Sequence, residues 1–109
     1  MTQATAPQGD PTYQNLEEFY PYYLSEHSNV MNRRLHFIGS TLGLVTFTFG
    51  LLTLKVGVML LSFVIGYAFA WVGHFFFEHN KPATFKYPWL SYKGDWRMWG
   101  QIATGKIPW

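Results

Sequence analysis

Two long uncharged stretches dominate the pattern of apolar and polar positions along the chain. The 41 residues from Phe37 to Phe77 contain one charged residue, Lys55, which divides them into apolar runs of 18 and 22 residues. At about 1.5 Å per residue, helices of these lengths reach roughly 27 and 33 Å, close to the bilayer hydrocarbon thickness of about 30 Å. Because only Lys55 separates the two runs, the turn between the helices is short and the helices must be antiparallel neighbours. The pattern predicts an all-α membrane protein, a transmembrane hairpin with spans at about 36–54 and 57–77.

The segment before the hairpin is polar and aromatic. Proline, glycine and polar residues dominate residues 1–12, which we expect to be a disordered N-terminus, whereas residues 13–109 are expected to form a single membrane domain. The aromatic and acidic segment Tyr13–Glu26 predicts one short, kinked interfacial helix. Ser28 and Asn29 then offer an N-cap for the helix that carries the first span.

The tail at residues 86–109 is also rich in aromatic side chains, which favour the headgroup level of a bilayer. We expect it to lie along the membrane surface. Asp95 is expected to cap a short helix there, with Met98 and Ile102 facing the membrane interface and Arg97 facing water. The prediction is therefore a hairpin with short interfacial helices at both ends.

Composition narrows the possible functions. Charged residues make up 13% of the 109 residues, against about 25% in soluble domains. A soluble bundle is the alternative to the membrane hairpin, but so short a chain could not cover two uncharged helices. Because the chain has no cysteine, disulfides, thiolate zinc sites, iron–sulfur clusters and cysteine nucleophiles are excluded. The basic residues form no patch, so no nucleic-acid partner is expected.

The basic residues next to the spans predict the orientation of the hairpin. Arg33 and Arg34 precede the first span, Lys81 and Lys86 follow the second, and only Lys55 lies at the tip. By the positive-inside rule, both termini face the cytoplasm. The absence of a targeting segment suits an integral protein of a bacterial inner membrane.

The histidines carry the candidate chemistry. His36 lies 19 residues before Lys55 and His74 lies 19 residues after it, so an antiparallel hairpin brings them to equal depth. Small residues mark the faces on which membrane helices approach each other closely. Both histidines share a helix face with such residues, which predicts that they point into the seam between the spans. These residues are Gly39, Gly43 and Gly50 on the first span and Gly66, Ala70 and Gly73 on the second.

Two further groups are expected to join this pair. Glu78 follows His74 by four residues and so lies on the same helix face, and the break at Ser28 frees His27 to fold back over the site. His79 points about 140° away from His74 on an ideal helix and is the weaker candidate. Imidazoles with one carboxylate suit a divalent transition metal, and with open positions they suit non-haem Fe(II).

Three alternatives remain open at this point. In the first, His27 and His79 are interfacial polar residues, and His36 and His74 hydrogen-bond each other or backbone carbonyls. Haem held between His36 and His74 as axial ligands is a second alternative, although these histidines lie near the membrane surface and Glu78 would have no role. A non-enzymatic membrane scaffold or regulator would need no metal and would be sensitive at the packing glycines Gly39, Gly43, Gly66 and Gly73.

Two segments resemble a known family. Residues Tyr20–Gly39 (YPYYLSEHSNVMNRRLHFIG) and Trp71–Lys86 (WVGHFFFEHNKPATFK) are similar to the family of the fungal 2-hydroxy fatty acid dioxygenase, named for the metabolism of phytosphingosine to odd-numbered fatty acids. The most specific part is GH-x-x-x-E-x-x-x-PA. The resemblance implies an integral membrane enzyme that uses Fe(II) and O2 to shorten a 2-hydroxy fatty acid by one carbon. The matching motif residues are His27, His36, His74 and Glu78.

The resemblance leads to a hypothesis for each site residue. Fe(II) would be held by the matching histidines and Glu78, and a long-chain 2-hydroxy fatty acid would lie between the helices toward membrane lipid. Arg33 or Arg34 would pair with the substrate carboxylate, unless these arginines only set the topology. Asn32 would donate a hydrogen bond to an imidazole. The chain is shorter than the fungal enzyme, so a homo-oligomer is expected to complete the substrate groove.

Overall fold

A computed structural model describes residues 13–109, and the predicted disordered segment 1–12 lies outside them. The described chain is all-α, without strands, as predicted. A π-helical turn and a 3₁₀ turn separate the last two helices. The elements are α1 (Leu16–Ser25), α2 (Val30–Leu52), α3 (Val56–Val72), the π turn (Gly73–Glu78), the 3₁₀ turn (Ala83–Phe85) and α4 (Pro88–Ala103).

Helices α2 and α3 form the predicted hairpin. Residues 53–55 connect them, and Leu54 has a left-handed backbone with φ of 57°. Small residues bring the two helices together: a Cβ on Gly39 would lie 2.5 Å from the Cβ of Phe69, and one on Gly50 would lie 2.8 Å from the nitrogen of Met59. The predicted seam of small residues is therefore confirmed at these positions.

The hairpin is long, apolar and largely uncovered. Its two helical stretches, Val30–Leu52 and Val56–Glu78, each have 23 residues, and an 18-residue window of each has a mean hydropathy of 1.6 and 2.0, respectively. Both are long and apolar enough to cross a membrane. Large apolar side chains point outward along both, such as Val45 (62% exposed), Val64 (64%) and Phe76 (70%). A core helix of a soluble protein would bury this surface.

The segment before the hairpin folds as the predicted single helix, α1, which includes Pro21. The side chain of Asn15 caps it by accepting a hydrogen bond of 2.9 Å from the backbone nitrogen of Glu18. Asn29 caps α2 by accepting from the backbone nitrogens of Met31 (2.9 Å) and Asn32 (3.2 Å), so the predicted N-cap is confirmed.

Helix α4 corrects the predicted tail. Pro88 is its first residue, so Asp95 lies in the middle of the helix and does not cap it. Met98 and Ile102 are buried, and they belong to an apolar core that includes Phe19 and Tyr23 of α1. The aromatic face of α1 offers these side chains a protein surface, which removes them from the membrane interface. Helix α4 thus packs on α1 and on the hairpin.

Candidate metal centre

Three histidines from different parts of the chain meet beside the hairpin seam. His27 follows α1, His36 lies in α2 and His74 lies in the π turn. One ring nitrogen from each lies within 4.8 Å of the other two, and all three side chains are buried. The rings of His36 and His74 have centroids 4.9 Å apart, which confirms that the hairpin brings them to the same depth.

The hydrogen bonds of the three rings define which nitrogen carries the proton. Each Nδ1 faces an oxygen that can only accept, so each ring has its proton on Nδ1 and a free lone pair on Nε2. Asn80 is oriented by its Nδ2, which donates to the backbone oxygen of Glu26 at 3.1 Å. The acceptors are the backbone oxygens of Tyr23 for His27 (2.6 Å) and Asn32 for His36 (2.9 Å), and Oδ1 of Asn80 for His74 (2.7 Å).

The resulting donor set fits a divalent transition metal. Nε2 of His27 lies 3.2 Å from Nε2 of His36, and with both protons on Nδ1 no hydrogen is left to join the two lone pairs. A cation among them would remove this repulsion, and ring N–H groups held by oxygen acceptors are typical of metal-ligating histidines. Burial, and next the proximity of His36, lower the pKa of His27 well below its usual value, which keeps this ring neutral as a ligand must be.

Glu78 is the last residue of the π turn, and its carboxylate bonds the residues at the start of α2. Its Oε2 accepts a hydrogen bond from the hydroxyl of Ser28 (2.7 Å), and its Oε1 accepts from the backbone nitrogen of Asn29 (2.8 Å) and the amide of Asn32 (3.0 Å). Within residues 13–109, the group of close ligand atoms consists of the three histidines alone. Glu78 joins the end of the hairpin to the start of α2, and its predicted coordination of the metal stays a prediction.

The other predicted site residues lie around the histidines. Nη1 of Arg33 donates to the backbone oxygens of His27 (3.2 Å) and Ser28 (2.9 Å). Arg34 donates to the backbone oxygen of Trp109 at 3.1 Å and lies over its indole ring. Neither arginine lines the cavities beside the histidines. His79 is exposed and outside the histidine group, in keeping with its weaker rank.

Asn32 contacts an imidazole through its backbone and not through the predicted side chain. Its backbone oxygen, and not its side-chain amide, accepts the hydrogen bond from the imidazole of His36, because the amide donates to Glu78.

Asn80 was not predicted as a site residue. The π turn ends at Glu78, and Asn80 comes two residues later. His79, between them, has a left-handed backbone with φ of 61°, which reverses the chain. Only the folded turn shows that Asn80 reaches back to His74.

Two neighbouring cavities meet at the histidines. A small one is bordered by all three rings and by Tyr23. A groove of about 470 Å³ begins at His36 and runs along the seam between α2 and α3, under α4. The two share His36, Tyr67, Ala70 and Asp95 as lining residues.

Comparison with known proteins identifies the family. The model of a family described as 2-hydroxy-palmitic acid dioxygenase Mpo1-like matches residues 13–107. The chain belongs to this family. The match includes both segments on which the resemblance was based, so the predicted family is confirmed. Searches of curated proteins and of solved structures find no match.

In this Mpo1-like chain, Asp95 lines both cavities and does not cap a helix. Its carboxylate accepts a hydrogen bond from the hydroxyl of Tyr23, whose ring stacks on His27 with centroids 3.9 Å apart. Burial raises the pKa of Asp95 to about 7, although the bond from Tyr23 opposes the shift. A signal was present: Asp95 precedes Met98 by three residues and Ile102 by seven, which places it on the buried face of α4.

Proposed function

We propose that this chain is an Fe(II)-dependent membrane dioxygenase that shortens a long-chain 2-hydroxy fatty acid by one carbon. The description of its family supports the reaction class, since it names a dioxygenase of 2-hydroxy-palmitic acid. One observation carries the proposal to this chain. His36 is at once a member of the buried histidine group and the inner end of an apolar groove.

The metal would be held by His27, His36 and His74, with positions left open for substrate and O2. When bound, Fe(II) supplies the one-electron chemistry that lets O2 react with an organic acid. The oxygen acceptors at Tyr23, Asn32 and Asn80 hold the three rings in the required tautomer. We assign Glu78 to the junction between the hairpin and α2, because three donors already occupy its carboxylate.

The proposed reaction balances without an external reductant. A 2-hydroxy acid and one O2 give an acid one carbon shorter, one CO2 and one water. The bond between the carboxyl carbon and carbon 2 breaks, carbon 2 is oxidised to a carboxyl group and O2 is reduced. A chain with this activity needs to hold the head of its substrate at the metal and to place the alkyl chain elsewhere, as the groove beside His36 allows.

A membrane location suits this substrate. The outward side chains of α2 and α3 are apolar, so lipid can surround the hairpin, and a fatty acid can enter from the bilayer. We propose that both termini face the cytoplasm, because the basic residues flank the open ends of the hairpin. The groove is lined by α2, α3 and α4 of one chain, so this arrangement does not depend on a homo-oligomer.

The test is anaerobic purification in detergent, loading with Fe(II), and addition of a long-chain 2-hydroxy fatty acid in the presence of O2. We expect O2 uptake together with a product acid one carbon shorter by mass spectrometry. His74→Ala should lose both iron and turnover. His79→Asn is the matched control, because this exposed histidine has a left-handed backbone that asparagine tolerates.

The same experiment separates the alternatives. Iron binding without turnover would keep the metal centre and reject the substrate, whereas no iron binding would favour a scaffold. A haem would give a Soret band. The ring centroids of His36 and His74 are 4.9 Å apart, too close for axial ligands on opposite faces of a porphyrin.

A further inference from the structure

The apolar groove has an inner end at the candidate metal centre and an outer end farther down the hairpin. It runs from His36 to Phe47 on α2 and to Phe63 on α3. His36 and Phe47 are eleven residues apart on one helix, which corresponds to about 16 Å. Its volume of about 470 Å³ lies within the range of roughly 300–1,000 Å³ that is typical of small-molecule sites.

The shape and chemistry of the groove suit an amphiphile. Buried His36, with its free Nε2, and the carboxyl of Asp95 lie at the inner end, where the groove meets the histidine cavity. Farther out, the walls are mostly apolar. Leu44 and Phe63 are each partly exposed, so this side faces the surroundings of the hairpin. A polar head at His36 and an alkyl chain along the seam would match both parts.

Gly66 lines this groove and differs from Gly39 and Gly50 in the space around it. A Cβ at Gly39 or Gly50 would meet the opposite helix at 2.5 or 2.8 Å, but one at Gly66 would meet nothing closer than 3.9 Å. A glycine inside a helix is less favourable than an alanine. Contact with α2 does not require a glycine at this position, and the open space beside Gly66 belongs to the groove.

We propose that the groove holds the alkyl chain of the substrate and that Gly66 determines how long a chain it admits. This inference rests on the proposed function, and it adds a specificity-determining residue that touches neither the metal ligands nor the reacting carbons. Gly66 is three residues closer to the hairpin tip than Phe69, which contacts Gly39 just below His36. A side chain there would interrupt an alkyl chain soon after it leaves the centre.

The activity test compares Gly66→Leu with the wild type on 2-hydroxy acids of graded chain length. We expect kcat/KM for long chains to fall roughly tenfold or more, because the leucine side chain would occupy the space that the alkyl chain needs. Activity on the shortest acids should be kept. Gly57→Leu is the matched control, because Gly57 is in the same helix, outside the groove, with open space around its Cβ.

A binding test does not depend on turnover. Trp96 and Trp99 line the groove, so a brominated long-chain fatty acid in the groove should quench tryptophan fluorescence. Quenching should be strong in the wild type and in Gly57→Leu, and weak in Gly66→Leu. Quenching by lipid outside the groove is common to all three proteins and cancels in the comparison.

The outcomes separate this inference from the proposed function. An unchanged chain-length profile and unchanged quenching in Gly66→Leu would overturn the inference while the dioxygenase stands. Quenching that depends on Gly66 without turnover in any protein would keep the groove and reject the reaction. If Gly66→Leu fails to fold, Ser40→Leu narrows the groove from α2 and must give the same loss of long chains.

Discussion

Nε2 of His27 and Nε2 of His36 lie 3.2 Å apart, while Nδ1 of each ring donates to a backbone oxygen. The lone pairs of these two nitrogens therefore face each other in a buried site without a hydrogen between them. Such an arrangement is unfavourable in the metal-free protein and favourable around a cation. It links the stability of the fold to metal binding.

We expect a divalent metal to stabilise the protein. A ligand that binds only the native state at a hundred times its Kd adds about 2.7 kcal/mol to the free energy of unfolding. Fe(II) added without oxygen should therefore raise the Tm in detergent, and EDTA should reverse the rise. His36→Ala should show no metal-dependent shift, whereas His79→Asn should behave like the wild type. An equal shift in His36→Ala would place the metal elsewhere.

Substitution of Glu78 tests its two possible roles. Glu78→Gln turns one acceptor oxygen into an amide that faces the donors of Ser28, Asn29 and Asn32. We expect the free energy of unfolding to fall by about 0.5–1.5 kcal/mol, the net value of a partly exposed hydrogen bond, with the amount of bound iron unchanged. Glu17→Gln, which weakens an exposed ion pair with Arg97, is the control. Loss of iron in Glu78→Gln would instead make Glu78 a ligand.

Alanine at two glycines of the hairpin should have opposite effects. A Cβ at Gly73 would overlap Oδ1 of Asn32 and approach its Cα to 3.2 Å, so we expect Gly73→Ala to displace Asn32 and destabilise the protein by roughly 1–3 kcal/mol. Gly66→Ala should be neutral or stabilising by up to about 1 kcal/mol, because alanine favours helices. Thermal unfolding in detergent measures both. Equal effects would show that the seam relaxes around Gly73.

The stability of the protein should depend on the ionisation of Asp95. Its pKa is raised to about 7, so the folded state favours the protonated acid. An aspartate with a raised folded pKa binds more protons folded than unfolded, so its contribution to stability is lost as pH rises from about 4 to about 7. We therefore expect the stability of Asp95→Asn relative to the wild type to be greater at pH 8 than at pH 5.

The difference between the two proteins isolates this effect. The lowered pKa of His27 acts in the opposite direction, because its contribution is lost as pH falls, but it is present in both proteins. Tm measured from pH 5 to pH 8 checks the expectation. Parallel pH profiles for the wild type and Asp95→Asn would contradict it.

The sequence by itself determined the hairpin and the pairing of His36 with His74. Two uncharged runs around Lys55 define α2 and α3, and equal distances from that residue place His36 and His74 at one depth. Asn29 was identifiable as an N-cap from local chemistry. These features follow from chain spacing and from contacts within a few residues, which the sequence states directly.

Only the tertiary structure decided what Glu78, Asn80 and Asp95 contact. Glu78 keeps its four-residue spacing from His74, but its carboxylate accepts hydrogen bonds from Ser28, Asn29 and Asn32, which the sequence spacing does not predict. Asn80 reaches His74 through a left-handed reversal, and Asp95 meets Tyr23 because α4 packs on α1. Each of these contacts joins segments whose relative position depends on how the whole chain packs, and local periodicity does not contain that information.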